Sequence, residues 1–294
     1  MTGETLRAWI QASRPPFFIA TLAPLLIGLI SARTYGWHFE RFLLVLLGAF
    51  IVHLVTNLGN DYFDHMVGTD SGESIGGSRV IQEGKILPQV LLRAIIILYF
   101  AAFLIAFIIM YAFDLFEILP LILFAAFSSF FYVAPPVRYG YYGLGELFVG
   151  INMGPVIVVG TYWVIAGQFD WQPLYLSLPV GLMVASILYY QSLPDMKTDL
   201  DVGKHTLAVR LGKKRAFYGL FVLWVLIYTV IVILVFTKIL SWYSLIICFV
   251  SIPVFVKMIR VVMNTENWVL LDQYGGYVRI LYGINSIAII YGLF

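Results

Sequence analysis

The stretch Phe42–Asp64, "FLLVLLGAFIVHLVTNLGNDYFD", sets an uncharged run against an abrupt acidic end. A helix that crosses the hydrocarbon core of a bilayer needs about 20 predominantly apolar residues. The run from Phe42 to Asn60 carries no Asp, Glu, Lys or Arg and has close to that length. The chain then continues "HMVGTDSGESIGGSRVIQEGKI" to Ile86. The window Asn57–Ile86 holds Asp61, Asp64, Asp70, Glu73 and Glu83, five of the sixteen acids in the whole sequence.

Seven further runs repeat the apolar half of this pattern: Pro15–Ala32, Ala94–Phe113, Ile118–Val137, Leu147–Phe169, Trp171–Pro194, Ala216–Thr237 and Ile239–Val256. All eight lack charge, and each is close to spanning length or longer. The tail after Arg279 is shorter, and it reaches spanning length only if its helix starts near Tyr274 and takes Arg279 into its first turns. The expectation is an all-α, polytopic membrane protein, a single domain over residues 1–294 with about nine transmembrane helices around a central cavity. The 61% hydrophobic and 12% charged residues suit a chain solvated by lipid, because soluble domains carry roughly 45–50% apolar and ~25% charged residues. None of the runs alternates polar with apolar, which excludes a membrane β-barrel. The first run lacks a small-residue cleavage site and is expected to be a retained helix. Cys248 is the one cysteine, so no intramolecular disulfide is possible.

The basic residues set the topology. With the N-terminus and the even-numbered connections on one side, that side holds fifteen of the eighteen Lys and Arg residues, and the other holds only Arg33, Arg41 and Lys238. By the positive-inside rule the fifteen are cytoplasmic. The acids follow the same division. Asp195, Asp199 and Asp201 follow the sixth run as Asp61 and Asp64 follow the second, with almost half of the chain between Asn60 and Asp195. Each group leads into a polar, glycine-bearing connection, so the pair reads as a duplicated helix–loop unit.

If the second helix continues through Asp64, then His53, Asn57, Asn60 and Asp64 form one polar stripe. Ser192, Asp195 and Asp199 would form a similar stripe on the sixth. Paired oxygen ligands without cysteine suit a hard cation, magnesium rather than zinc or copper. Magnesium takes one or two carboxylates and completes its shell with water and substrate phosphates. Two facing half-sites would hold a diphosphate between two ions. Solvated loop acids are the bland alternative, and two clusters with i,i+4 pairs on the same side argue against it. For His53 a hydrogen bond between helices stands beside a contact to substrate.

The residues "NDYFD" and "DMKTD" resemble the two aspartate-rich motifs of the UbiA-type intramembrane prenyltransferases. The resemblance extends to "ASRPPFFIATLAPLLIG", "GGSRVIQEGKI", "YVAPPVRYGYYGLGELFVG" and "GKHTLAVRLG", and so to essentially the whole chain. It implies magnesium-dependent transfer of an isoprenoid chain from its diphosphate to an acceptor inside the membrane. On this resemblance Asn60 and Asp64, with Asp61 between them, match the first metal-binding motif, and Asp195 and Asp199 match the second. Arg138 matches a basic position that faces the diphosphate. Arg79 and Lys204, in the motif loops, are further candidates for that role. Arg14 is either a diphosphate ligand or a membrane-interface anchor, and His53 and Asn57 are candidate substrate contacts. An allylic diphosphate ionises when its leaving group is stabilised electrostatically. Apolar and aromatic walls must then keep the cation from water. Tyr62, Tyr132, Tyr139, Tyr189 and Tyr190 are placed to serve.

The loop after the first motif resembles the branch that prenylates 1,4-dihydroxy-2-naphthoate for menaquinone, with loss of the carboxylate. That branch commonly carries an arginine just before the first aspartate of the second motif. This chain has Pro194 there, which favours a helix break and removes one candidate anion partner. Other branches use 4-hydroxybenzoate, homogentisate, chlorophyllide, haem or an archaeal glyceryl phosphate ether. The expected partners are a polyprenyl diphosphate, an aromatic acceptor and the lipid bilayer, with no nucleic acid and no required protein. A cation-coupled transporter is the rival from another class. It would more often carry its acids near the membrane midplane on broken helices.

Overall fold

The computed structural model describes residues 3–69 and 76–294, and among these there is helix but no strand. Asp70 and Glu73, two acids of the first cluster, lie outside the described residues. Twelve α-helices follow in order: α1 (Gly3–Ser13), α2 (Ile19–Ser31), α3 (Phe39–Val67), α4 (Pro88–Ala112), α5 (Leu119–Phe131), α6 (Gly145–Ile151), α7 (Ile157–Ala166), α8 (Gln172–Ser192), α9 (Met196–Asp201), α10 (Leu207–Phe236), α11 (Tyr243–Asn264) and α12 (Gly276–Gly292).

Among the described residues six helical stretches are long and apolar enough to cross a membrane, taking α6 and α7 as one. A bent pair, α1 with α2, makes a seventh if it counts as one span. The expected count of about nine is reached only by adding two short helices, α5 with 13 residues and α12 with 17. Proline explains much of the difference. The run Pro15–Ala32 does not stand alone: α1 precedes it, and the stretch Gly3–Phe17 is bent by 54° against Ile19–Ser31. A proline ring disfavours helical geometry in the residue before it, and Arg14 adopts a left-handed conformation, φ 52°. In α5 the helix stops at Phe131, ahead of "VAPPV", where the Pro135–Pro136 bond is cis. Pro155 sits in a π-helical turn, Asn152–Val156, that joins α6 to α7. Missing its N–H, proline cannot continue the regular ladder, and a π-turn absorbs the defect.

The second helix runs unbroken from Phe39 to Val67, as its polar stripe requires, and Gly68 closes it at φ 84°. On the sixth helix the expectation is corrected. α8 ends at Ser192, Pro194 breaks the chain, and Asp195 caps the separate helix α9. Ser192 therefore shares no continuous helix with Asp195 and Asp199. The two acids stay one turn apart, and the Asp199 N–H donates to the Asp195 carbonyl at 2.8 Å.

α8 is the most buried span and packs on α6 and α10. Around it Met183, Tyr189, Tyr190, Trp224 and Tyr282 form the main core. A second core joins α1, α3 and α4 with Val80, Ile81 and Ile86 of the connection after the first motif. Close helix crossings depend on glycine. A Cβ on Gly154 would sit 2.7 Å from the Gly181 Cα and the Ser177 carbonyl, so α8 meets the π-turn backbone to backbone.

Candidate active site

α3, α5, α6, α8 and α9 bring one end each to the same end of the bundle. There Asp64 and Asp199, almost half a chain apart in sequence, face each other across Lys204. The ammonium of Lys204 lies 3.7 Å from Asp64 Oδ2 and 3.5 Å from Asp199 Oδ1. The backbone supports this placement, because the Lys204 N–H donates to the Asp199 carbonyl at 2.7 Å and so closes α9. Burial works to discharge Lys204, but the two carboxylates outweigh it and hold the ammonium well above its ordinary pKa. Burial pushes Asp199 up to about 6, with Lys204 opposing.

Tyr141 completes this arrangement. Its hydroxyl donates to Asp64 Oδ1 at 2.5 Å and meets Thr69 Oγ1 at 2.7 Å. Burial is the main cause that raises its pKa and keeps the phenol neutral. The Arg138 guanidinium and the Lys204 ammonium each lie 5.5 Å from the centre of the Tyr141 ring, within the range of a cation–π contact. Arg138 is held by a left-handed backbone, φ 40°, just past the cis proline. Its Nε is buried without a hydrogen-bond partner. The residue pattern of the "VRYGYYG" segment does not single out Tyr141. The only signal is a tyrosine three residues after a basic position, and that spacing has no meaning until the loop folds back on α3.

Asn60 stands one turn before Asp64 on α3, and its Oδ1 is buried without a hydrogen-bond partner. Asn60 precedes Asp64 and Asp195 precedes Asp199 by one turn each, and of these four it is Asp64 and Asp199 that Lys204 brings together. Among the described residues no group of three or more His, Cys, Asp or Glu is gathered for a metal ion. Magnesium does not need one, since water and phosphate fill most of its shell. The donor set fits that ion, and the positive charge of Lys204 between the carboxylates marks a place that stabilises cations.

Other expected residues are held elsewhere. Asp61, 2% exposed, pairs with Arg14 and accepts from both the backbone and the hydroxyl of Ser78. It braces the α1–α2 turn against the connection after the first motif and does not join Asp64. Asn57 donates to the carbonyl of Ser13, the last residue of α1, at 3.0 Å. His53 shares a 2.5 Å hydrogen bond between Nδ1 and Thr21 Oγ1 of α2. Arg79, half-buried at φ 62°, follows Ser78. His53, Asn57 and Asp64 therefore share a helix face but serve three different contacts.

Beside the acids an apolar cavity of about 220 Å³ runs between α3, α4, α5 and the α6–α7 pair. Tyr132 and Tyr139 line it, and His53 and Asn152 contribute polar edges. Tyr132 joins the cavity to the acidic end, since it interacts electrostatically with Lys204, Glu146, Asp64 and Asp199. Its ring packs against Gly140 and Gly145, where a Cβ would come within 3.1 and 3.3 Å. Tyr189 and Tyr190 point away, into hydrogen bonds with the Ala216 and Leu271 carbonyls. Tyr62 packs against the second core. Arg33, Arg41 and Asp114 lie at the other end of the bundle, where Arg41 donates to the Val164 carbonyl at 3.0 Å.

The chain is similar to known proteins over most of its length. A 1,4-dihydroxy-2-naphthoate octaprenyltransferase of Haemophilus influenzae is 33% identical over 72% of this chain and 71% of its own. A 2-carboxy-1,4-naphthoquinone phytyltransferase of Synechocystis is 32% identical over 87% and 82%. Among solved structures, a digeranylgeranylglyceryl phosphate synthase superposes with a TM-score of 0.64 over 99% of both chains at 22% identity. A UbiA homologue from Archaeoglobus fulgidus bound to GPP and Mg2+ gives 0.60 at 15% identity, over 96% of this chain and 99% of that one. At these identities the structural likeness is one of fold. The UbiA prenyltransferase family matches residues 21–269, most of the chain. With the paired acids, the cavity beside them and this match over most of its length, the chain belongs to the UbiA prenyltransferase family, as a multi-pass membrane transferase.

Proposed function

We propose that this enzyme moves a polyprenyl chain from its diphosphate to an aromatic acceptor, 1,4-dihydroxy-2-naphthoate, with magnesium and at the cytoplasmic face of the cell membrane. The observation that carries the reading is the meeting of Asp64 and Asp199 around Lys204, in electrostatic reach of Tyr132, which lines an apolar cavity. The cytoplasmic assignment rests on the fifteen-to-three division of basic residues.

Asn60 with Asp64, and Asp195 with Asp199, would hold the metal. Bound there, magnesium would neutralise charge on the leaving diphosphate. The protein supplies the rest. Lys204, Arg138 and Arg79 are the cations assigned to the diphosphate oxygens. Tyr141 fixes the rotamer of Asp64 through its 2.5 Å hydrogen bond. The allylic carbon–oxygen bond breaks with its electron pair leaving on the diphosphate. An electron-rich carbon of the acceptor then bonds to the freed allylic carbon, and the ring loses its carboxylate as carbon dioxide, keeping the electron pair of that bond, which restores the aromatic ring. Tyr132 and Tyr139 offer aromatic faces to the developing cation and exclude water from it. The tail lies in the apolar cavity, whose wall includes Phe103, half exposed on the outer surface of α4.

The naphthoate acceptor is supported by the relatives from Haemophilus influenzae and Bacillus subtilis, each named for that reaction. The test is a membrane assay that offers several aromatic acceptors with one labelled prenyl diphosphate. Preferential labelling of the naphthoate is expected. Preference for 4-hydroxybenzoate, or uptake by sealed vesicles without diphosphate release, would overturn the assignment.

A further inference from the structure

Three hydroxyl groups on the wall of the apolar cavity form a chain whose direction their hydrogen bonds fix. Thr56 of α3, Ser129 of α5 and Tyr99 of α4 all line the cavity. The Thr56 hydroxyl donates to the Val52 carbonyl at 2.8 Å, and a carbonyl can only accept. Its hydrogen is therefore committed, and the 2.6 Å contact between Thr56 Oγ1 and Ser129 Oγ is a donation from Ser129. The 3.0 Å contact between Ser129 Oγ and the Tyr99 hydroxyl is then a donation from Tyr99. Each hydroxyl has a single hydrogen to give, so the chain runs from Tyr99 through Ser129 and Thr56 to Val52 and leaves no donor over. Elsewhere on the wall the pattern is the same. Tyr139 donates to the Ser128 carbonyl at 2.6 Å, and Thr161 donates to the Ile157 carbonyl at 2.6 Å. Among the described residues, the buried polar side-chain atoms that lack a hydrogen-bond partner include none from this cavity.

The chain stands on the side of the cavity that leads to the acids. Thr56, Asn60 and Asp64 follow one another at one-turn intervals on α3 and share a face. Ser129 comes one turn before Tyr132, which is also on the wall. On the reaction proposed above the allylic cation forms against this wall, and water is its competitor. Water would bond to the allylic carbon through its oxygen and shed a proton, leaving prenyl alcohol and diphosphate in place of the prenylated ring. An ordered water needs roughly two to four polar partners, and a donor for its lone pairs is what this chain withholds. We propose that Ser129 decides the fate of the cation. By taking the Tyr99 hydrogen and giving its own to Thr56, it denies water a foothold, so that the aromatic acceptor captures the cation. This inference rests on the prenyl-transfer reading and adds to it a residue that sets the choice between transfer and hydrolysis.

The direction of the chain makes its test asymmetric. In Ser129→Ala a water can stand where the hydroxyl stood, accepting from Tyr99 and donating to Thr56. In Tyr99→Phe the remaining links keep their partners and no donor is released. The double variant, Ser129→Ala with Tyr99→Phe, takes the water's donor away again. Alanine is the best helix former, so Ser129→Ala keeps α5. Each protein receives chain-labelled prenyl diphosphate, magnesium and saturating aromatic acceptor in heavy-oxygen water, and the ratio of prenyl alcohol to prenylated ring is measured. Alcohol that carries the heavy oxygen reports attack at the allylic carbon, because cleavage at phosphorus keeps the donor's own oxygen. An unmet buried donor should raise the ratio of heavy alcohol to prenylated ring by about tenfold in Ser129→Ala. Tyr99→Phe and the double variant should stay within about twofold of the parent, since the effect belongs to the pair. A parental ratio in an active Ser129→Ala would overturn the proposal. So would a raised ratio that persists in the double variant, because the leak would then come from lost packing and not from the Tyr99 hydroxyl. A parent that prenylates no aromatic would overturn the reaction itself, whereas an active parent whose variants all share its ratio overturns this inference alone.

Discussion

Asp61 gives both carboxylate oxygens to Arg14 and Ser78, while Asp64, less than one turn further along α3, faces Tyr141 and Lys204. From the sequence the two are alike, both acids in "NDYFD". Helical spacing puts Asp61 about 100° away from Asn60 and Asp64 back beside it, and only the partners on other segments give each its work. Substitution should separate them. Asp64→Asn and Asp199→Asn should lower turnover by several orders of magnitude with the folded protein still in the membrane. Asp114→Asn, exposed at the other end of the bundle, should leave turnover nearly unchanged. Equal losses at Asp114 and Asp64 would count against the site. Asp61→Ala should act on stability, by about 2 kcal/mol, because it strands a charged partner. Thermal melts in detergent would read that loss, and the fraction that remains folded should retain most of its turnover.

Among the elements, apolar run length is a good guide to where helices lie and a poor guide to where they stop. α3 extends well past the end of its uncharged run, since Asp61 and Asp64 are accommodated within helical turns, whereas α10 is kinked at Gly212, φ 70°, just before its basic residues Lys213 to Arg215. α2 and α5 fall short of theirs, at 13 residues each, because Pro15 and Pro16 delay the start of α2 and α5 stops ahead of Pro135 and Pro136. The π-turn at Asn152–Val156 leaves no trace in composition beyond Pro155. It matters for packing, since it presses Gly154 onto Gly181 of α8. Gly154→Ala has no side chain to push aside, only backbone. Overpacking of this kind costs roughly 1–3 kcal/mol, so this variant should melt earlier than Gly203→Ala is expected to through its positive φ alone, at a position with open space around it. A melting temperature for Gly154→Ala equal to that of the parent would show that α6 and α8 can part without loss.

Across the whole molecule the proposed reaction makes the two aspartate motifs halves of one device, and that proposal is thermodynamic. If magnesium and the diphosphate bind at both halves together, each must tighten the other by the same factor. Magnesium affinity measured with and without a prenyl thiodiphosphate should show this coupling in the parent. In Asp199→Ala the coupling should largely disappear, although Asp199 belongs to α9 and Asp64 to α3. Coupling that is absent from the parent, or untouched in the variant, would mean that the motifs do not share a ligand. The sequence carries this pairing better than any single contact within it, because order, separation and side are properties of the chain. Lys204 between the acids and Tyr141 above them are properties of the fold.

The cavity beside Tyr132 measures about 220 Å³, less than the roughly 300–1,000 Å³ of pockets that enclose a drug-sized ligand. On the proposed reaction such a space would grip the first units of a long isoprenoid and leave the remainder among the lipids, and an enzyme built this way would have no ruler. Donors of increasing length should gain in kcat/KM over the first few units and then reach a plateau, and a sharp optimum at one length would contradict this. The number of units in the product would then be decided before the donor arrives, by the synthase that made it, and this protein would copy that decision without reading it.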